Sequence, residues 1–242
     1  FEDVQGLVAL NFGADSRHQA VVVKIADRSH RHAGHGHGAS QASGVEIGSG
    51  VEETDGIVRL EAEFSFGRQC GVSLEPRGIV ADYDPYEDRL TVSISHQSPH
   101  LVQVILARLF GMPENRVLVR AGDVGGSFGV KLHIYPDEIA AAACARLLAR
   151  PVKFIATRSE AFQSDAQARE FRASGSIYLS PSGEVTGMTA EFDNAIGAYS
   201  IFPRSSIGDS IQAATQLGAP YSIARLKTTS RTHWQNKTPS GA

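Results

Sequence analysis

The chain has 242 residues, 42% of them hydrophobic, enough for one large domain or two small ones with a sizeable core. Lys and Arg total 23 against 26 Asp and Glu, a formal net charge of −3, so no positive field gathers nucleic acid or anionic lipid. Its two cysteines, Cys70 and Cys144, lack a C-x-x-C spacing and are too few to hold an iron–sulfur cluster.

In chain order, Leu7 to Leu10 reads as a short strand, and the alanines and valines of Ser16–Asp27 as a helix running into or beside a strand. From Ser29 to Gly50 the composition turns to His, Gly, Ser and Ala, with too little apolar surface to offset the entropy of ordering. A mobile loop is expected over 29–50. The glycines interspersed with His30, His32, His35 and His37 fix no coordination geometry, which favours a solvated insertion over a dedicated metal site.

Val58–Phe66 alternates apolar and polar residues with period two and predicts a half-buried strand. Val80–Tyr83 and Leu90–Ile94 flank the turn DPYED as a hairpin. Pro99 to Gly111 repeats Leu101, Val104, Ile105, Leu106, Leu109 and Phe110 at helical steps, with Gly111 as the stop. Arg116 to Arg120 is a strand, and Gly122 to Gly129 a glycine-rich turn. Pro136 then opens an Ala-rich helix to about Leu148. The apolar run in that helix, Ile139 to Leu148, carries Arg146 and is too short to span a bilayer. Val152–Ala156 is the next strand; Ser174–Leu179 and Val185–Phe192 form a hairpin around Pro181-Ser182-Gly183, and the last fifty residues mix short strands and loops. The irregular alternation predicts an α+β fold of mixed sheets with packed helices.

The segment Asp123-Val124-Gly125-Gly126-Ser127-Phe128-Gly129-Val130-Lys131 carries the most chemistry. Such glycine density lets main chain adopt positive φ and present N–H donors in a concave array suited to an oxygen-rich or anionic ligand. No G-K-[ST] closes it and its pitch is not G-x-G-x-x-G, so neither a Walker loop nor a dinucleotide fingerprint is present. Composition alone leaves a structural tight turn and a ligand loop both open. Glu75 and Arg77 read as a buried or turn-stabilising ion pair, Asp123 as a loop acceptor and Glu138 as a helix-start carboxylate.

A strand, then V-G-G-S-F-G-x-K, then Y-P-x-E opening an Ala-rich helix, then R-P-V-K-F and R-S-E resembles the xanthine oxidase, aldehyde oxidase and carbon monoxide dehydrogenase family of molybdenum hydroxylases. Leu74-Glu75-Pro76-Arg77-Gly78 is similar to its L-E-P-R-G block, and Ser95-His96-Gln97-Ser98-Pro99-His100 to its helix entry. The likeness covers most of 58–242, expected as a molybdopterin-binding domain cut at the C-terminal edge of the cofactor site, and only loosely 1–57. The resemblance implies that Phe128 and Gly129 lie beside the metal's ligands, that Gly125, Gly126 and Ser127 help cradle the pterin, and that Gln69 contacts the molybdenum oxygen. It implies no direct protein ligand to the metal. Gly71 stands where the family commonly has His.

Leu132 and Gln212 occupy positions where purine-oxidising members carry Glu and Arg, which argues against xanthine and for an aldehyde or less polar aromatic heterocycle. The family's catalytic glutamate lies beyond Ala242, so no catalytic residue is expected in this chain. The implied cofactor is molybdenum–molybdopterin, plain or as the cytosine dinucleotide. FAD and 2Fe-2S centres are expected on flavin and iron–sulfur subunits, with the remainder of the molybdopterin subunit on a partner chain, in a cytoplasmic hetero-oligomer. A non-catalytic pterin carrier and a remnant that binds no cofactor are the competing readings.

Overall fold

The computed structural model describes residues 40–51 and 56–241 and divides the chain into two compact units. The expected strand at Leu7–Leu10, the helix over 16–27 and the four histidines of the glycine-rich stretch lie outside the described residues. The fold is α+β, as expected.

One unit comprises Gln69–Ala168 with Ile201–Ser205. Its first elements are β3 (Gln69–Cys70), β4 (Gly78–Asp84), β5 (Arg89–Ile94), α1 (Pro99–Phe110) and β6 (Val117–Arg120). After the glycine-rich turn come α2 (Pro136–Leu148), β7 (Val152–Ile155), α3 (Arg158–Ser164) and β8 (Gln167–Ala168). The four-stranded sheet has the order β6-β5-β4-β7. β4 pairs antiparallel with β5 and β7, and β5 pairs parallel with β6, the crossover that α1 supplies. The registers align Ile79 with Ile94, Ala81 with Val92 and Leu90 with Val117, so period-two alternation puts one apolar row on one face. Val102, Leu106 and Ala107 of α1 and Ala141, Ala142 and Ala145 of α2 close that face into a core. The small side chains of α2 let its backbone sit close to the sheet. α1 begins with Pro99 in its first turn and ends at Gly111, whose φ of 63° lets its N–H reach back to Ala107 and Arg108.

The other unit contains residues to Arg68, Arg169–Ser200 and Ser206–Gly241. It is built of β1 (Ser40–Gly48), β2 (Val58–Phe66), β9 (Phe171–Leu179), β10 (Val185–Gly197), α4 (Gly208–Gln216) and β11 (Arg225–Trp234). The sheet order is β1-β11-β10-β9-β2, with β10 and β11 parallel and the other pairs antiparallel. α4 packs on β1, β10 and β11, where Thr228 donates to the Ala214 carbonyl at 2.9 Å and Asn194 to Ser210 at 3.0 Å.

Several expectations change. Residues 40–48, expected in a mobile loop, are a strand paired along β11; a backbone ladder replaces the missing apolar contacts. Residues 58–242 fall into two units, because the hairpin of β9 and β10 returns to β2 and the chain beyond α4 adds β11 to the same sheet. The last fifty residues contain a nine-residue helix and a ten-residue strand, and Thr157 caps a helix, α3, that periodicity missed.

β2 forms where expected, but all nine of its residues are exposed, because it is the sheet's edge and α4 does not reach it. Leu60, Phe64 and Phe66, on one face by period two, are each more than half exposed. Exchanging Leu60 and Phe64 for Ser should change folding stability by less than about 1 kcal/mol, as for surface sites that make few contacts. It should also reduce self-association in sedimentation velocity; undiminished association would place the adhesive surface elsewhere.

Candidate functional site

The glycine-rich turn between β6 and α2 is held from behind by three side chains. Glu75, three residues before β4, offers Oε2 to three donors: the Gly125 N–H, Ser95 Oγ and Lys131 Nζ, each at 2.7 Å. The Glu75 N–H in turn donates to the Gly125 carbonyl at 3.1 Å. Lys131 is 1% exposed and has Glu75 as its ion-pair partner. The hydrogen bond from Lys131 brings the Glu75 carboxyl down to about 2, with the Gly125 N–H and Ser95 adding to it. On the far side Ser127 Oγ donates to the Gln97 side-chain oxygen and accepts the Lys131 N–H at 3.2 Å.

This scaffold twists the loop out of ordinary backbone space. Gly126, Phe128 and Gly129 have φ of 97°, 53° and 86°. A positive φ is routine for glycine and costly for Phe128, whose ring is nonetheless 71% exposed, so burial of its side chain does not explain the conformation. Among the described residues the N–H groups of Ser127, Phe128 and Gly129 donate to no acceptor of the protein. Three successive unclaimed donors on a turn of positive φ form an array suited to oxygen atoms. A Cβ at Gly125 would lie 2.6 Å from Glu75 Cβ, so that residue must be glycine for Glu75 to reach the loop.

Gln69 lies on β3, which pairs with β8, and its side chain is exposed. Two residues on, a Cβ at Gly71 would meet Val130 Cγ2 at 2.8 Å and Phe128 Cβ at 3.3 Å. Gly71 thus passes directly against the glycine loop, and the absence of the family's His has a steric reason. Leu132, half-buried, donates its N–H to the Gly129 carbonyl at 3.2 Å and stays beside the loop. Gln212 is on α4 in the other unit. Gln97, Glu75 and Lys131 were not singled out by sequence reasoning as loop anchors, although two of them stand inside the quoted L-E-P-R-G and S-H-Q-S-P-H blocks.

Glu75 and Arg77 do not pair with each other. Arg77 is 1% exposed and sits 3.8 Å over the Tyr135 ring. Its guanidinium bonds Asp165 at 2.6 Å, both oxygens of Asp137 at 2.8 Å and Glu138 at 3.3 Å. Glu138 also accepts the Tyr135 N–H at 3.0 Å, the helix-start role expected of it. One cation facing three carboxylates leaves surplus negative charge, and burial first, then Asp137, lifts Glu138 to about 7 against the pull of Arg77.

Because the folded-state value lies above the unfolded 4.5, Glu138 adds nothing to pH dependence below about pH 4.5 and costs stability as pH rises toward 7. Glu138→Gln should therefore flatten the stability profile between those values by at most about 3 kcal/mol. Urea midpoints of both proteins at pH 5 and pH 8 test this; an equal fall in the two would refute it.

Among the described residues no cluster of His, Cys, Asp or Glu has the arrangement of a metal site, and no helix is long and apolar enough to cross a membrane. The glycine loop presents its unclaimed donors from the main chain. The chain belongs to the molybdopterin cofactor-binding domain family, whose model matches residues 29–242. It is 28% identical over 86% of its length to the carbon monoxide dehydrogenase large chain of Hydrogenophaga pseudoflava, of which it covers 26%. It is 32% identical over 81% of its length to the gamma subunit of the 6-hydroxypseudooxynicotine dehydrogenase complex of Paenarthrobacter nicotinovorans, of which it covers 24%. The structure is similar to quinoline 2-oxidoreductase from Pseudomonas putida 86, with a TM-score of 0.77 and 29% identity over 84% of this chain and 26% of that one. The chain spans about a quarter of the length of these relatives.

Proposed function

We propose that the chain is the part of a molybdenum hydroxylase's large subunit that cradles molybdopterin, and that it works in an oxidoreductase complex. The observation that carries this is the row of unclaimed N–H donors at Ser127, Phe128 and Gly129 on a loop held at positive φ. The site fits an oxygen-rich pterin: the loop is anchored from behind, glycine at 71 and 125 lets Val130, Phe128 and Glu75 pack against the backbone so that the anchoring holds, and Phe128 projects outward. Gly125, Gly126, Ser127, Phe128 and Gly129 would hold the cofactor, in the plain or cytosine dinucleotide form, and Gln69 would donate its amide N–H to an oxygen on the metal. When bound, the cofactor supplies two-electron oxidation with water as the oxygen source.

The chain's own residues orient the cofactor and shape one wall for the substrate. Leu132 offers that wall an apolar surface beside the loop, while Gln212, on α4 of the other unit, is the uncharged counterpart of a family arginine. An aldehyde or aromatic heterocycle is the substrate class these residues suit, and the relatives named for quinoline and for a hydroxylated nicotine derivative are consistent with it. Iron–sulfur and flavin subunits would carry electrons away, and the base would come from the part of the large subunit that the relatives have beyond this quarter. The apolar edge at Leu60, Phe64 and Phe66 supports a buried interface with a further protein segment.

Metal and pterin analysis of natively purified protein, with whatever copurifies, tests the proposal. Molybdenum near one per complex together with a fluorescent pterin product is expected; a folded complex with neither would overturn it. Turnover of aldehydes or heterocycles by that complex separates an enzyme from a carrier.

A further inference from the structure

We propose that Glu75 is the positioning residue of the glycine loop, fixing through one carboxylate oxygen the direction in which the Ser127–Gly129 donors point. The inference rests on the cofactor reading of the loop and deepens it. Oε2 of Glu75 is the point where three separate elements meet: the Gly125 N–H at the loop's start, Ser95 Oγ before α1, and Lys131 Nζ just past the loop's end. Gripping both ends of a seven-residue stretch removes most of its freedom, and the reciprocal bond from the Glu75 N–H to the Gly125 carbonyl removes rotation of that peptide. Charge-assisted bonds of this length are among the stronger ones available to a loop. Among the described residues no other acidic side chain bonds a main-chain N–H of residues 124–130.

The arrangement also explains why Lys131 is inside. A lysine with 1% exposure needs a carboxylate in contact, and Glu75 is that contact. Among the described residues the other Glu75 oxygen has no hydrogen-bond partner, and the side chain remains 41% exposed, so Glu75 holds the loop without being locked in the core. Glu75 does not itself reach the Ser127–Gly129 donors, so it acts on a ligand through the loop.

The test uses the full chain with its natural partners and two double variants, Glu75→Ala with Lys131→Met and Glu75→Gln with Lys131→Met. Each removes both charges, so neither strands a buried lysine. The glutamine retains an oxygen able to accept the Gly125 N–H; the alanine does not. Amide exchange is read at residues 124–130 and, as the control, at α1 and α2. The alanine pair should exchange at least tenfold faster in the loop with α1 and α2 unchanged, and should lose released pterin at least tenfold faster on dialysis. The glutamine pair should recover most of both. Equal behaviour of the two pairs, or acceleration spread evenly over α1 and α2, would overturn the proposal. If the parent holds no pterin while the loop difference persists, the cofactor reading fails and the role of Glu75 in the loop stands.

Discussion

Arg77→Met should lower folding stability by about 3–5 kcal/mol, the usual cost of removing one partner from a buried ionic cluster. The substitution roughly keeps the volume but strips Asp137, Glu138 and Asp165 of their common counterion and uncovers the Tyr135 ring. Domains of this size have only about 5–15 kcal/mol in total, so the unit built on Gln69–Ala168 would be near unfolding. Arg77→Lys should recover little of this, because an ammonium cannot make the forked bond to both Asp137 oxygens while reaching Asp165. The loss should shrink as pH falls through about 7, where the stranded Glu138 takes up its proton and no longer repels its neighbours. Urea denaturation at pH 7 and pH 4 measures both effects. A loss below about 1 kcal/mol at neutral pH would mean that the cluster relaxes or hydrates when the guanidinium leaves.

Gly125→Ala should act on binding more than on folding. The added Cβ would fall 2.6 Å from Glu75 Cβ and 3.4 Å from Glu75 Oε2, so one of the two strands of the grip has to move. Overpacking of this kind costs about 1–3 kcal/mol, felt in a loop that carries little of the core. The expected result is a fall of at least about tenfold in pterin retained by native protein, since 1.4 kcal/mol of misplacement is already a factor of about ten. Gly122→Ala is the control, because a Cβ there meets nothing within 4 Å. Equal pterin content in the two variants would show that the close approach at Gly125 has no bearing on the ligand.

Much of the glycine-rich turn could be read in advance because it is local in sequence. Seven residues from Gly125 to Lys131 carry the loop, and glycine spacing plus the family's motif order pointed to them directly. The anchors were harder, since Glu75, Ser95 and Gln97 are 30 to 50 residues away and touch the loop only once β4, β5 and α1 are packed. Adjacent placement in L-E-P-R-G suggested that Glu75 and Arg77 pair; the chain instead sends them to opposite partners, Lys131 and the acidic group at the start of α2.

Charge, hydrophobic period and turn residues by themselves determined the strands β2, β4 and β5, the helices α1 and α2, and the place of the glycine-rich turn. These are decided within one or two turns of chain, by side-chain alternation, proline at a helix start and glycine at its end. Only the tertiary structure decided that the glycine- and serine-containing stretch 40–48 is a strand, that β2 is exposed, and that Gly71 leaves no room for a side chain. Each depends on a partner far along the chain: β11 for the first, the limited reach of α4 for the second, Val130 for the third. A strand with few apolar side chains gains its place from the backbone ladder of its neighbour, and that neighbour is invisible to any local window.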